Sequence, residues 1–441
     1  MEYKNELKEN IYTKPINVLL CSVFSDTSKE QECLSRLYEL RLLAETSIGD
    51  DAQNSSFYML TQCRPHPDVA TYLGSGKAIE AGELCENNDI SLVVIDGEMS
   101  PSQIRNLENE INTKSTDKEV RVIDRTMLIL DIFAKHAVTG EGKLQVEIAQ
   151  LKYTAPRLTG KGIALSRQGG TSGSIGARGP GETKLETDKR HIQKRILALK
   201  DALREMESDR NVKRSKRVKS GVPTAVISGY TNAGKSTLLN YLTGAGILAE
   251  NKLFATLDPT VRKLSLPSGK TVLLSDTVGF ISRLPHQLVE SFKSTLDEVR
   301  YADIILVVAD ASDPEMKEKI LVTEQILGEL DSADKPKIYV LNKCDTVGDF
   351  DLPQISDSSR TVCISALTGE GTDELLSVID EELAKAKRTV TFLFPFEMQS
   401  AVNSLYENAT VLDVEYTEVG ALVTAVVDDK CYGMYKRFVK E

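Results

Sequence analysis

Gly229-Tyr230-Thr231-Asn232-Ala233-Gly234-Lys235-Ser236 fits G-x-x-x-x-G-K-S, the phosphate-binding loop. The preceding Thr224-Ala225-Val226-Ile227-Ser228 is apolar and partly β-branched, as a buried strand is. The following Thr237-Leu238-Leu239-Asn240-Tyr241-Leu242 reads as a helix. Strand, glycine loop and helix is the context the motif requires. The physics is anion binding at a helix N-terminus, where free N–H groups and the positive end of the dipole face a phosphate. Gly229 and Gly234 let the backbone wrap closely. Lys235 brings a point charge to the outer phosphates, and the Ser236 hydroxyl can ligate Mg²⁺.

Three further elements follow in order. Asp276-Thr277-Val278-Gly279 lies after the apolar Val272-Leu273-Leu274. Its carboxylate can hold Mg²⁺ through water, and its glycine N–H can reach a γ-phosphate and sense it. Asn342-Lys343-Cys344-Asp345 follows a strand at 337–341. An ionised carboxylate only accepts hydrogen bonds, so Asp345 suits the paired N–H donors of a guanine edge, which adenine lacks. Ser365-Ala366-Leu367 follows a strand at 361–364, and its backbone N–H groups can meet the guanine carbonyl. Between the first two elements lies Phe254-Ala255-Thr256-Leu257-Asp258-Pro259-Thr260, a switch-like segment. Thr256 and Thr260 are both chemically able to ligate Mg²⁺, and position leaves both open. Phe280 stands where many GTPases carry a Gln that orients the attacking water. Four elements in this order imply GTP binding and hydrolysis, slow alone and accelerated by a partner.

Composition sets outer bounds. The chain has 441 residues, 41% of them hydrophobic, with a net charge of −11. Length suggests about three domains, and apolar runs such as 304–309 are too short to span a bilayer. Cys21, Cys33, Cys63, Cys85, Cys344, Cys363 and Cys431 are scattered, odd in number and without a C-x-x-C pair. That argues against a disulfide framework and a zinc site and fits a reducing cytosol. The opening Met1-Glu2-Tyr3-Lys4-Asn5-Glu6 is polar and charged, unlike a signal peptide. A cytoplasmic monomer is expected.

The organisation is α/β in four parts. Residues 1–138 form an N-terminal α/β domain, with strands at 16–24, 57–60, 92–95 and 120–123 and helices at 28–44, 77–85 and 102–111. Within it, Tyr72-Leu73-Gly74-Ser75-Gly76-Lys77 is a truncated phosphate loop, read on its spacing as a glycine turn that starts a helix. Residues 139–221 form a helical hairpin: Leu144, Ile148 and Leu151 make one seam, and Ile192, Ile196, Leu199, Leu203 and Met206 the other. The linking segment 157–181 has eight glycines, the cations Arg157, Lys161, Arg167 and Arg178, and no acidic residue. Six Lys or Arg follow at 210–219. Loop and run together, on an acidic chain, suit an RNA backbone. Residues 222–387 form the P-loop GTPase domain, a mostly parallel sheet with helices on both faces. Residues 388–441 are a small α+β domain, with a helix at 396–406 and strands at 410–416 and 421–427.

Over nearly its whole length the chain resembles HflX, a family of ribosome-associated GTPases. The marks are GYTNAGKS at 229–236, FATLDPT at 254–260 and RGPGETKLETD at 178–188, with Tyr72 to Lys77 and Asp124-Arg125-Thr126 upstream. The resemblance implies binding to the large ribosomal subunit and its rRNA, and splitting of stalled ribosomes. It favours Thr256 as the Mg²⁺ threonine beside Ser236, and makes a hydrophobic residue at Phe280 normal. It also brings the N-terminal domain and glycine loop toward the peptidyl-transferase region. Lys235, Thr256 and Gly279 are therefore the expected catalytic residues. Two rivals are an ATP-dependent RNA-remodelling enzyme working through the N-terminal domain and a non-catalytic guanine-nucleotide sensor.

Overall fold

A computed structural model of the chain describes residues 16–113, 119–160, 180–219, 222–244, 253–254, 260–282, 298–347, 360–385 and 387–440. Most of the glycine segment, residues 161–179, lies outside the described residues. The described residues divide into two compact units. The first holds those up to Arg204 together with Leu253 and Phe254, and the second holds the rest.

In the first unit β1 (Asn17–Phe24), α1 (Glu30–Ile48), β2 (Phe57–Cys63), α2 (Ser75–Asn87), β3 (Ile90–Ile95), α3 (Pro101–Asn112) and β4 (Arg121–Asp124) alternate. The strands lie in the order β2-β1-β3-β4, all parallel. Parallel neighbours need crossovers, which the helices supply. Local signals set the helix starts: Ser100 and Gln103 form a reciprocal capping box, with Pro101 in the first turn of α3. Leu19, Val93 and Ile95 of the sheet pack with Ala78, Ala81 and Leu107 of α2 and α3.

A helix absent from the sequence reading, α4 (Arg125–His136), follows β4 directly. Its Leu128, Ile129, Leu130, Ile132 and Phe133 are all buried, and only Ala134 and Lys135 are exposed, so the polar face is too narrow to reveal its period. The expected hairpin arms are α5 (Gly140–Thr154) and α6 (Pro180–Lys219). Ile148 and Leu199, one from each seam, are buried, and Arg195 meets Glu147 at 2.8 Å.

The second unit contains β5 (Thr224–Gly229), α7 (Lys235–Thr243), β6 (Val261–Ser265), β7 (Thr271–Asp276), β8 (Ile304–Asp310), α8 (Met316–Glu329), β9 (Lys337–Asn342), β10 (Arg360–Cys363) and α9 (Thr372–Lys385). The sheet order is β10-β9-β8-β5-β7-β6, parallel except for the antiparallel pair β6–β7. Ile304, Leu306 and Val308 of β8 enter one core, and Ile305, Val307 and Ala309 enter another. Both faces are covered, which is why the strand reads as an unbroken apolar run.

The same unit ends in β11 (Lys387–Phe394), α10 (Gln399–Asn408), β12 (Thr410–Thr417), β13 (Gly420–Asp428) and α11 (Asp429–Tyr435). The sheet is antiparallel in the order β11-β13-β12. The sequence reading has no strand at β11, which buries Val390, Phe392 and Phe394 beneath its helices. Among the described residues, no helix is long and apolar enough to cross a membrane.

Candidate nucleotide site

Four loops of the second unit gather at the carboxyl ends of its parallel strands: one after β5, one after β7, one after β9 and one after β10. This edge is where open α/β sheets place ligands.

At the phosphate end, tight backbone approach explains the glycines. A Cβ on Gly229 would lie 2.1 Å from the Val308 carbonyl oxygen, and one on Gly234 2.1 Å from Asn342 Nδ2. Gly234 also has φ 91°, left-handed space that a side chain resists. It caps α7 without a side-chain hydrogen bond, so the first N–H groups of that helix stay open to a ligand. Lys235 is buried, and its amine donates to the Tyr230 carbonyl at 2.7 Å. Burial pushes the amine down to about 8, opposed by the nearby Asp276 carboxylate. The Ser236 hydroxyl donates to Asp276 Oδ2 at 2.7 Å, which sets two hard oxygens side by side.

The turn after β7 is pressed onto this loop. A Cβ on Gly279 would meet Lys235 Nζ at 2.8 Å and Thr231 Cα at 2.9 Å. Thr277 faces the fold: it is fully buried and donates to the Ile227 carbonyl at 2.8 Å. Val278 is buried beside it. Phe280 N–H donates to Gly229 O at 3.1 Å, and Thr231 N–H donates to Phe280 O at 2.7 Å. Ser282 N–H adds a bond to the Tyr230 hydroxyl at 2.6 Å. The Phe280 ring is buried with Ile326 and Leu330, at the end of α8. This anchor is invisible to a motif search, because it depends on an apolar pocket contributed about fifty residues downstream.

At the other end Asn342 is a cross-brace. Its Nδ2 donates to Ala233 O at 2.8 Å, and its Oδ1 accepts from Ala366 N–H at 2.9 Å. One side chain thus ties the phosphate loop to the loop after β10. Lys343, at φ 67°, reaches Asp310 at 2.6 Å. Asp345 is exposed at the turn. Ser365 is fully buried, and its carbonyl accepts from Gly369 N–H at 2.8 Å. Ala366 is buried, and Leu367 is 78% exposed. Gly229 to Ser236, Asp276 to Gly279, Asn342 to Asp345 and Ser365 to Leu367 therefore all lie at this edge.

Several other described residues singled out in the sequence belong to the first unit. Phe254 belongs to the first unit, buried edge-on against Phe133 with ring centroids 4.7 Å apart. Ala255, Thr256, Leu257 and Asp258 lie outside the described residues. Gly74 caps α2, as a glycine turn should, and Lys77 pairs with Glu80 at 2.9 Å. Arg157, counted among the loop's uncompensated cations, is paired: it reaches Asp124 at 3.2 Å and lies over the Tyr153 ring. Its partner is outside the acid-free segment, so local composition could not reveal it.

A phosphate loop, a D-x-x-G turn and an N-K-x-D turn on one edge of a mostly parallel sheet define a P-loop GTPase. Comparison with known proteins is narrower. Families described as GTP-binding GTPase N-terminal, GTP-binding GTPase middle region, 50S ribosome-binding GTPase and HflX C-terminal domain match residues 35–134, 136–217, 224–343 and 352–428. The GTPase HflX of Caldanaerobacter subterraneus subsp. tengcongensis is 46% identical over 423 residues, covering 96% of this chain and 93% of the relative. The GTPase HflX of Escherichia coli strain K12 is 40% identical over 385 residues, covering 86% and 88%. This chain belongs to the HflX family of GTPases. Among solved structures, it is similar to a GTP-binding protein of Sulfolobus solfataricus in complex with GDP, with a TM-score of 0.42 and 24% identity over 83% of this chain and 99% of that one.

Proposed function

We propose that this GTPase binds the large ribosomal subunit through rRNA-rich surfaces and splits or rescues stalled ribosomes, with GTP setting the binding-competent shape. Support comes from the family description of a ribosome-binding GTPase at 224–343 and from the basic segments at 157–181 and 210–219. On this reading the working parts are 1–138, 139–221, 222–387 and 388–441, in one cytoplasmic monomer.

Lys235 leaves the Tyr230 carbonyl to hold the β- and γ-phosphates, with the N–H groups of Gly229 to Ser236 around them. The adjoining Ser236 hydroxyl and Asp276 carboxylate are oxygen donors of the kind Mg²⁺ prefers. Ser236 and Thr256 would ligate that ion, which neutralises phosphate charge when bound. The Gly279 N–H faces the γ-phosphate, Asp345 accepts from the guanine edge, and the loop at Ser365 to Leu367 meets the guanine carbonyl. Ala255 to Asp258, following Phe254 with its ring anchored on Phe133, complete the nucleotide-lining set, and Lys235, Thr256 and Gly279 carry catalysis.

The observation behind partner dependence is Phe280. Its ring is packed against α8 and has no hydrogen-bonding atom, so it does not orient water. A group supplied by the ribosomal partner completes the site. Such groups raise rates roughly 10³- to 10⁵-fold in other GTPases. Measuring GTP turnover against rising concentrations of isolated large subunits tests this. The rate climbs to saturation on this account, and a flat profile at every concentration contradicts it.

A further inference from the structure

The base end of the site contains two thiols. Cys363 is the last residue of β10 and the register partner of Leu341 on β9. Cys344 opens the turn after β9: its N–H donates to Ile364 O at 3.1 Å and its thiol to Leu341 O at 3.2 Å. Those bonds hold it over the end of β10, and the Cys344 and Cys363 side chains pack against the same apolar core. Both cysteines are half-buried. Cys21 and Cys85 are also neighbours, but they are sealed in the first core. Cys63 is exposed in the first unit.

We propose that Cys344 and Cys363 are a disulfide-forming modification site, closed by a peroxide oxidant, that disables guanine binding. The proposal rests on the assignment of Asp345 and the loop at Ser365 to the guanine base. Closure sets the two sulfurs about 2.05 Å apart. Cys344 directly precedes Asp345, and Cys363 lies two residues before Ser365. The bond therefore draws together the two loops that flank the base and shifts the carboxylate that must meet its edge.

The chemistry balances with hydrogen peroxide. The Cys363 thiolate attacks one peroxide oxygen, the O–O bond breaks, and the departing hydroxide takes up a proton as water. Cys344 then attacks the sulfenic sulfur. The S–S bond forms, the S–O bond breaks, and the hydroxyl leaves as water with the Cys344 proton. Two thiols and one peroxide give one disulfide and two waters. The order follows from environment. Burial, the neighbouring Cys363 thiol and the adjacent Asp345 carboxylate push the Cys344 thiol up to about 12. It therefore stays protonated and serves as the resolving thiol. Linkage makes the effect reciprocal at equilibrium: a nucleotide that holds the loops apart disfavours the disulfide by the same factor by which the disulfide weakens the nucleotide.

The test uses the full chain with Cys63→Ser, which removes the exposed thiol of the first unit. Protein is treated with hydrogen peroxide, mapped for linked peptides and titrated with fluorescent GDP. The expected result is a Cys344–Cys363 peptide, GDP binding weakened at least about tenfold, and recovery with dithiothreitol. Saturating GDP slows formation of the linked peptide. A further Cys363→Ser change makes GDP binding insensitive to peroxide. Absence of the linked peptide overturns the proposal, as does bridged protein that binds GDP like the reduced form. A Cys363→Ser variant that still loses affinity with peroxide also overturns it. Reduced protein that fails to bind GDP refutes the guanine assignment instead, while the peptide map still decides whether the disulfide forms.

Discussion

The carboxyl edges of the two parallel sheets invite comparison. At the first, Arg125 bridges Asp96 at 2.9 Å and Glu39 at 2.6 Å, and Arg36 reaches Asp96 at 3.1 Å. Asp124 caps α4, accepts from Met99 N–H at 3.1 Å and Arg157 at 3.2 Å, and takes the Tyr153 hydroxyl. Asp96 and Asp124 are almost completely buried, and each meets a cation of its own unit. At the second edge, Lys235 is also buried, but its amine rests on a neutral carbonyl while glycine backbone surrounds it. Both edges collect polar groups for the same topological reason. The first neutralises its charges internally and acts as a strut. The second leaves a cation and open helix N–H groups for an anion to neutralise.

Removing a charge should therefore have opposite effects at the two edges. The largest expected effect is from Asp124→Ala, which uncaps α4 and strands the Arg157 guanidinium. Stability should fall by about 3–5 kcal/mol, as for other broken buried pairs. Urea unfolding of the nucleotide-free protein measures it, and a loss under about 1 kcal/mol would erase the distinction.

Lys235→Met comes next. Nucleotide affinity should drop about a hundredfold or more, because a buried charge-assisted contact is lost. Stability without nucleotide should rise, on the order of 1–3 kcal/mol at pH 7. The amine's folded value is held down near 8, below its ordinary value of 10.5. The cost of keeping it charged is thus present below pH 8 and fades as pH climbs toward the unfolded value. A destabilised Lys235→Met protein with intact binding would reverse the argument.

The smallest effect sharpens the base end. Asp345→Asn should weaken GTP binding roughly 10- to 100-fold and favour xanthosine triphosphate, whose ring offers a carbonyl where guanine has an amine. Competition binding with both nucleotides measures the preference, and an unchanged ratio would remove Asp345 from base recognition.

The second edge was largely legible in the sequence because its chemistry is local. A phosphate loop needs Gly229, Gly234 and Lys235 at fixed spacing on one short turn, and the strands on either side are continuous apolar runs. The first edge was not legible, because its pairs join distant positions such as Arg157 with Asp124 and Arg125 with Glu39. Its Asp124-Arg125-Thr126 stood out only by resemblance, and the structure supplies a physical role for the first two residues. Helix α4 was hidden by burial over most of its surface, which leaves only a narrow polar face at Asp131 and Lys135 to mark a period. Phe254 read as part of a nucleotide-lining segment, yet its ring is seated against Phe133, a contact that depends on the tertiary fold.

The claim that the second edge governs ribosome engagement is tested most directly by cosedimentation with isolated large ribosomal subunits, comparing a non-hydrolysable GTP analogue with GDP. The account predicts that the protein pellets with the subunits under the analogue and stays largely in the supernatant with GDP. Equal pelleting under both nucleotides, or none under either, would contradict it.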